Sequence, residues 1–181
     1  MSQIIDGETE RMAILYERYK MRVYFYFFKV TCGDRETSED LTHTVFYKAI
    51  RYRSSFTGQG SFANWLFRIA HNIALDHNRK KKNSLSYDYE PDASSVQNII
   101  DENESEKSEH IVSLNLAMNR LSHEERELIV LGKIDCLKYS EIAGILSTTE
   151  GNIKIRMFRA LKRLKDIFMK IENTRYEKER Y

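Results

Sequence analysis

The sequence has little of the chemistry that turns and β-sheets require. It contains seven glycines and a single proline in 181 residues, whereas all-β folds need turn residues about every ten positions. No apolar run approaches the roughly 18 to 20 residues that span a bilayer. The N-terminus also lacks the basic and hydrophobic segments of a signal peptide. We therefore expect an all-α, cytoplasmic protein with no direct membrane insertion.

Groupings of side chains that would support catalysis or metal binding are also missing. Cys32 and Cys136 stand alone, without a CxxC motif, and we predict that both are reduced, packed thiols. The histidines form no i, i+4 pair and no HExxH motif, and no nucleophile elbow or glycine-rich phosphate loop is present. We therefore predict no enzymatic activity, no metal, no cofactor and no small-molecule substrate.

Charge is divided unevenly along the chain. Residues 1–82 carry 14 Lys and Arg against 9 Asp and Glu, residues 83–113 carry 1 against 8, and residues 114–181 carry 14 against 10. Two basic blocks joined by an acidic segment indicate two modules that face a polyanion. We predict a first module over residues 1–82, a flexible acidic linker over 83–107, a second module over 108–172 and a charged tail over 173–181.

In the first module, apolar residues at helical spacing predict three helices. Gly33-Asp34 ends the first of them, and Thr37 with Asp40 resembles a capping box for the second. Ser61 is the predicted N-cap of the third. The apolar faces carry Met12, Leu15, Tyr16, Tyr19, Val23, Phe27 and Val30 in the first helix, Leu41, Val45, Ala49 and Tyr52 in the second, and Phe62, Leu66, Ile69, Ile73 and His77 in the third.

The second module ends in a pattern typical of a helix-turn-helix. Its first helix has Ile111, Leu114, Ala117, Met118 and Leu121 on the predicted inner face, and Ser122 with Glu125 resembles a capping box for the next. After a predicted turn at 132–137, a short helix over 139–146 precedes a long basic helix over 150–170. The expected packing between these two helices involves Ile142, Ala143, Leu146, Ile153 and Met157.

The long helix is basic on the side that faces away from this packing. Residues 150–165 include six Lys and Arg and one Glu. At 100° per residue, Asn152, Ile155 and Arg159 lie near the centre of the outward face, where they are suited to base edges in the major groove. Lys154, Arg156, Lys162 and Arg163 lie at the margins, where they are suited to phosphates. On charge alone a solvated face is the simpler interpretation, but the helix-turn-helix packing favours DNA.

The third helix of the first module interleaves aromatic and polar residues. Phe56, Phe62, Trp65 and Phe67 alternate with Asn64, Arg68, His71, Asn72 and the basic run 79–82. Aromatic rings beside cations are suited to unpaired bases, because stacking contributes about 1 to 3 kcal/mol per base while positive charge holds the backbone. We expect Phe62 to be core, and Phe56 and Phe67 to be available to a strand.

Four segments carry a resemblance to a known family. They are LYERYKMRVYFYFFKVTCGDRETSEDLTHTVFYKAI, SFANWLFRIAHNIALDHNRKKK, AMNRLSHEERELIVLGKIDCLKYSEIAGIL and EGNIKIRMFRALKRLK. Together they resemble the extracytoplasmic-function (ECF) group of the bacterial sigma-70 family, in the same order and separation. The resemblance implies a region 2 helical bundle in the first module and a region 4 helix-turn-helix in the second. Together these regions would direct RNA polymerase to promoters.

The resemblance also implies a role for each surface. The segment DLTHTVFYKAI would bind the clamp helices of the largest catalytic subunit of core RNA polymerase. Its candidate contacts are Asp40, Leu41, Val45, Phe46, Ala49, Ile50 and Arg51. The loop 56–61 and the third helix would melt and read the −10 element. The candidates there are Phe56, Ser61, Asn64, Trp65, Arg68, His71, Asn72, Arg79 and Lys80.

The remaining implications concern the −35 element, the linker and the regulation of the protein. The helix over 150–165 would read the −35 element, and we expect the acidic linker to thread a basic channel of the polymerase. Many members of this group are held inactive by an anti-sigma factor, so such a protein is a further candidate partner. His43-Thr44, Ser122 and Ser147-Thr148 depart from the residues usual in the family. The last pair implies either a strained turn or a left-handed serine.

Two other classes of protein are compatible with parts of the sequence. A free-standing helix-turn-helix repressor or activator would use the first module for dimerisation or ligand sensing and would bind duplex operators alone. A helical protein-binding adaptor would leave the outward cations of the last helix unexplained. The aromatic and cationic third helix and the linker favour a protein that contacts opened DNA and two separated promoter elements.

Overall fold

The computed structural model of the chain describes residues 2–58, 60–84 and 105–178, with side chains described for 12–58, 60–81 and 109–176. Within these ranges it contains no strand, and the all-α prediction is confirmed. The helices are α1 (Ser2–Val30), α2 (Arg35–Arg51), α3 (Phe62–Ser84), α4 (Ser105–Asn119), α5 (His123–Ile129), α6 (Tyr139–Ile145) and α7 (Glu150–Lys178). No described helix is both long and apolar enough to cross a membrane. Most of the predicted linker lies outside the described residues.

The first module is a bundle of α1, α2 and α3. α1 ends because Cys32 and Gly33 adopt left-handed conformations, with φ of 63° and 92°. Asp34 then caps α2 by accepting a hydrogen bond from the Thr37 backbone N–H at 3.0 Å. The predicted capping box of Thr37 and Asp40 is therefore wrong. Asp34, three residues before Thr37, accepts the hydrogen bond from the Thr37 backbone N–H. The helix therefore starts before Thr37, and α2 begins at Arg35.

Helix α3 begins where the sequence predicts, because the Asn64 backbone N–H donates to Ser61 Oγ at 3.1 Å. The outward prediction for Phe67 is wrong. Phe67 is fully buried, with its ring 5.7 Å from that of Tyr26 in an edge-on arrangement. The reason is that the Phe67 side of α3 packs against α1, where Tyr26 and Arg22 contact the ring.

In the second module, α4, α5 and α6 pack around α7. The capping box of Ser122 and Glu125 is confirmed in both directions. The predicted inner face of α4 is only partly right. Ile111 and Leu114 are 54% and 44% exposed, because they border an open groove against α7. The remaining residues of that face, Ala117, Met118 and Leu121, are buried.

Between α5 and α6 the chain forms a π-helical turn over Val130–Ile134. The turn predicted over 132–137 begins within it. A methyl group at Gly132 would lie 2.5 Å from Cε of Met157, so a larger residue there would require the end of the Met157 side chain to move. The turn ends with Cys136 at φ 55°. Both Cys32 and Cys136 are free thiols, but Cys136 is exposed, and its prediction as a packed residue is wrong.

The helix-turn-helix packing is confirmed. Ile142 and Ile153 are fully buried and Ala143 is 6% exposed where α6 and α7 approach each other. The turn between them uses a left-handed serine, with Ser147 at φ 53°, and the Thr148 N–H donates to the Ala143 carbonyl at 2.9 Å. This turn closes α6 without the usual glycine. α7 continues to Lys178, beyond the predicted end at 170.

We expect Ser122→Ala to lower the free energy of unfolding by about 1 kcal/mol, because it removes the hydroxyl that caps α5. Urea denaturation followed by circular dichroism measures the change. Ser140→Ala, at an exposed helical position in α6, is the matched control and should leave stability almost unchanged. Equal effects of the two substitutions would show that the cap does not stabilise the fold.

Candidate nucleic-acid and polymerase interfaces

The outward face of α7 is exposed along its length. Asn152, Arg159 and Lys162 are exposed, and Ile155 at the centre is 53% exposed. The start of the helix is ordered by two threonines: the Asn152 N–H donates to Thr149 Oγ1 at 3.2 Å, and the Asn152 amide donates to Thr148 Oγ1 at 2.8 Å. This face presents a directed amide, an apolar side chain and cations at helical spacing, as base-edge recognition requires.

The sequence prediction omitted Phe158, which is 70% exposed on the same face. It lies three residues after Ile155, so the two side chains are neighbours on the helix surface. An exposed phenylalanine beside exposed cations widens the apolar part of this face. Phe158 directly precedes Arg159, so a prediction that extended the outward face beyond its three central residues would include it.

The marginal cations of α7 make weak intramolecular pairs. Lys154 lies 3.0 Å from Glu150, and Arg156 and Arg163 lie 3.1 and 3.6 Å from Glu124 and Glu125 of α5. Pairs this exposed contribute only about 0 to 1 kcal/mol, so they can be exchanged for contacts with phosphates. These three side chains therefore remain available to a nucleic-acid backbone.

A cluster of three aromatic rings lies at the start of α3. The rings of Phe56, Phe62 and Trp65 have centroid separations of 5.4 to 5.6 Å. The Trp65 indole N–H also donates to Ser55 Oγ at 3.2 Å. Phe56 and Trp65 are partly exposed, whereas Phe62 also meets Tyr19 of α1 at 5.3 Å. Phe62 therefore joins this aromatic cluster to α1.

A cleft of about 430 Å³ lies between this aromatic cluster and α6. Its first-module wall includes Phe56, Trp65 and Arg68, and its second-module wall includes Glu141 and Gly144. The Asn64 amide donates to Glu141 Oε1 at 3.0 Å across the cleft, while Asn64 Oδ1 is buried without a partner. The second module thus covers part of the surface that the sequence assigns to a DNA strand.

His71 is engaged by the second module as well. Its Nδ1 lies 2.7 Å from Oε1 of Glu127, which also accepts a hydrogen bond from the Tyr26 hydroxyl. Burial, followed by the charge of Glu127, raises the pKa of Tyr26 well above its usual value. The other cationic and polar candidates of the first module remain exposed: Arg68, Asn72, Arg79 and Lys80.

The candidate polymerase contacts divide into two groups. Val45 and Ala49 are fully buried and Phe46 is 5% exposed, so these three belong to the core and cannot meet a partner directly. Phe46 packs edge-on against Tyr16 at 4.8 Å. The rest of the predicted set stays accessible, with Asp40, Ile50 and Arg51 exposed and Leu41 half-buried. The sequence prediction missed Tyr47, which is 63% exposed and shares this face of α2.

Arg22 of α1 and Asp135 of the second module form another contact between the modules. Arg22 Nε donates to Asp135 Oδ1 at 3.2 Å, and its Nη2 donates to the Asp135 carbonyl at 3.2 Å. Asp135 Oδ2 is buried without a hydrogen-bond partner. Burial raises the pKa of Asp135 to about 6, although the guanidinium of Arg22 opposes the shift.

Comparison with known families separates the candidate classes of protein. Residues 15–84 match the family model described as Sigma-70 region 2, and residues 111–164 match that of Sigma-70, region 4. This chain belongs to the ECF sigma factors of the sigma-70 family. It is 31% identical over 167 residues to the ECF RNA polymerase sigma factor BldN of Streptomyces coelicolor, a match that covers 87% of this chain and 60% of that relative.

Other relatives match over nearly their whole length. The chain is 28% identical over 174 residues to the ECF RNA polymerase sigma factor SigW of Bacillus subtilis, covering 91% of this chain and 92% of SigW. The fold is similar to that of the sigma factor RpoE of Bartonella quintana, solved in complex with the anti-sigma factor NepR. The TM-score is 0.72 at 24% identity, over 91% of this chain and 97% of RpoE.

We expect the stability of this ECF sigma factor to depend on Asp135 between pH 4 and 6. Because the folded state raises the pKa of this carboxyl, the folded state binds more protons than the unfolded state in that window, and its stability falls as pH rises through it. Because asparagine does not titrate, Asp135→Asn should make the decrease in the free energy of unfolding between pH 4 and 6 smaller by on the order of 2 kcal/mol. Urea unfolding at several pH values measures it.

Asp166→Asn, at an exposed position on α7, is the control for loss of an acidic group. The control should follow the pH dependence of the unsubstituted chain. A slope for Asp135→Asn that matches the control between pH 4 and 6 would contradict the raised pKa.

Proposed function

We propose that this sigma factor binds core RNA polymerase in the cytoplasm and directs it to promoters by contacting a −35 duplex and an opened −10 strand. One observation carries the proposal. A single chain combines an exposed cationic helix-turn-helix with a separate aromatic and cationic surface on another module. A repressor that binds duplex operators needs only the first of these. Catalysis in this proposal is done by the polymerase.

For the −35 element, we assign base reading to the centre of the outward face of α7. Asn152 and Arg159 can each pair with a base in bidentate fashion, and Ile155 can contact a thymine methyl group. Lys162 and the marginal cations would hold phosphates, which adds affinity without sequence preference. The exposure of the central side chains and the weakness of the marginal pairs support this division.

For the −10 element, we assign the partly exposed rings of Phe56 and Trp65 to the capture of an unpaired base. Arg68, exposed on the next turn of α3, would hold the strand backbone. Gly58 and Gly60 adopt φ of 77° and 93° in the connecting loop, which lets the loop turn back beside the rings. An unstacked base and a cationic groove are the two requirements of single-strand binding.

For polymerase, we assign the exposed face of α2. Asp40, Tyr47, Ile50 and Arg51 follow one another at helical spacing on this face, and Tyr47 and Ile50 are 63% and 50% exposed. Exposed aromatic and aliphatic side chains flanked by charges are typical of a protein-binding surface. An anti-sigma factor, like the one bound to RpoE of Bartonella quintana, is a second candidate partner.

Reconstitution with core polymerase tests the function directly. The purified chain is mixed with core enzyme, and run-off transcription and footprinting are carried out on genomic fragments. We expect promoter-specific transcripts with protection at two separated elements. A chain that ignores polymerase and occupies a symmetric duplex site as a stable dimer would instead be a free-standing regulator.

We expect Arg159→Ala to cost about 1 to 3 kcal/mol in promoter binding and to relax sequence preference at one −35 position, because it removes a base contact. Lys162→Ala should weaken binding to all promoters alike, because it removes a phosphate contact. The slope of the logarithm of the binding constant against the logarithm of salt concentration should become smaller by about one. Binding to a panel of single-base promoter variants measures both. The same change of specificity in both proteins would contradict the division between centre and margin.

We expect Trp65→Ala to abolish promoter opening while leaving −35 duplex binding intact, because it removes a ring on which a base stacks. Permanganate reactivity of unpaired thymines measures the opening. Circular dichroism verifies that the variant is folded, and Trp65→Phe should retain part of the activity. Normal opening by a folded Trp65→Ala protein would exclude the aromatic cluster from strand capture.

A further inference from the structure

We infer that Thr148 is a positioning residue for promoter reading: its hydroxyl holds the Asn152 amide so that the free edge of the amide selects an adenine in the −35 element. This role rests on the proposed function of α7 and adds to it the base that one central side chain reads. The hydrogen bond between these two side chains, at the start of the helix, is the observation that carries it.

The side-chain amide of Asn152 has one carbonyl oxygen and two N–H donors. It donates to Thr148 Oγ1 at 2.8 Å, which uses one of these donors. The carbonyl oxygen and the second donor remain available on an exposed side chain. In the major groove adenine presents the complementary pair, an amino donor at N6 and an acceptor at N7, whereas guanine presents two acceptors and would need both amide donors. The amide held by Thr148 is therefore suited to adenine.

Thr148 is itself held in place, so it can orient a neighbour. Ser147 turns the chain at φ 53°, and the Thr148 backbone N–H donates to the Ala143 carbonyl at 2.9 Å. The backbone of Asn152 is fixed separately, because its N–H donates to Thr149 Oγ1 at 3.2 Å. Each partner in the hydrogen bond between the side chains is thus ordered by a contact of its own.

The other neighbours of Asn152 on the helix surface do not compete with Thr148 for its amide N–H groups. Ile155, three residues later, has no hydrogen-bonding side chain. Arg156, four residues later, has only donors and lies 3.1 Å from Glu124 of α5. A Cβ added at Gly151, directly before Asn152, would meet nothing within 4 Å. The chain therefore leaves room for a duplex at the start of α7.

The position of Asn152 gives this orientation a consequence for specificity. In helix-turn-helix proteins the first residues of the recognition helix contact base edges, and Asn152 is the third residue of α7. A side chain that is ordered before binding avoids an ordering cost equivalent to about 2- to 12-fold in affinity. At bases with which the amide forms no bidentate pair, that cost does not arise. Thr148 therefore strengthens the preference for adenine more than it strengthens binding in general.

Single-base promoter variants bound by the reconstituted holoenzyme test the inference. Competition against a labelled promoter fragment measures the relative affinity for each base at each −35 position. Asn152→Ala identifies the position that the amide reads, because the preference there is lost. We expect the unsubstituted chain to favour adenine at that position by about tenfold or more. Thr148→Val should reduce this preference by about threefold or more and leave the affinity for the other three bases unchanged.

Three further proteins separate positioning from a local effect on helix stability. Thr174→Val removes a hydroxyl that donates to the Lys170 carbonyl near the other end of α7, and it should match the unsubstituted chain. Thr148→Ser keeps the hydroxyl and should retain the preference. Added to Asn152→Ala, Thr148→Val should have no further effect on the preference, because the group that it orients is gone. Circular dichroism establishes that each variant is folded.

Modified bases test the two proposed contacts separately. At the identified position, 7-deazaadenine lacks the N7 acceptor, and unsubstituted purine lacks the N6 amino group. Each should lower the affinity of the holoenzyme by about threefold or more, because it removes one of the two hydrogen bonds. Neither should change the affinity of the holoenzyme that contains Asn152→Ala.

The possible results separate this inference from the proposed function. A preference for a base other than adenine at the identified position overturns it, and so does an Asn152→Ala protein that changes no preference. An equal loss of affinity for all four bases in Thr148→Val, or an adenine preference that this variant keeps in full, overturns it as well. A holoenzyme that transcribes from promoters in these cases retains the proposed function. The absence of promoter-specific transcription refutes that function itself.

Discussion

The arrangement of this molecule depends on two adjacent charges buried between its modules. Arg126 and Glu127 are 6% and 2% exposed, and a charge so desolvated is costly unless its hydrogen-bonding groups are used. Arg126 donates to the carbonyls of Met118, Asn119 and Leu121 in its own module and to that of Val30 at the end of α1. Glu127 receives its hydrogen bonds from the first module. One turn of α5 thus determines how the modules meet.

This turn also sets the direction in which α7 faces. α5 contacts α1 of the first module on one side and α7 on the other, so the helix proposed to read DNA lies on the side of α5 that faces away from the first module. The C-terminal carbonyl of α1 is the partly negative end of that helix, which favours the guanidinium of Arg126 beside Val30. Burial lowers the pKa of Arg126, yet an arginine remains charged at any physiological pH. Arg126 therefore keeps its positive charge beside the end of α1 at physiological pH.

The features that the sequence predicted correctly have partners close along the chain. Ser61 caps α3 through the N–H three residues later, and Ser122 does the same for α5. Where the decisive partner lies far away, prediction failed or stopped short. Phe67 is buried against Tyr26 of α1, and Asn64 meets a carboxylate 77 residues later. Helical periodicity describes the faces of one helix and contains no information about which distant element covers them.

The same limit explains why the candidate site was only partly foreseen. Residue type alone assigned Asn64 and His71 to a strand, because a polar side chain beside aromatic rings is suited to nucleic acid. The chemistry that favours a phosphate also favours a carboxylate, and the second module supplies two of them. In the structure, Glu141 and Glu127 therefore occupy polar groups that the sequence assigned to a nucleic-acid strand.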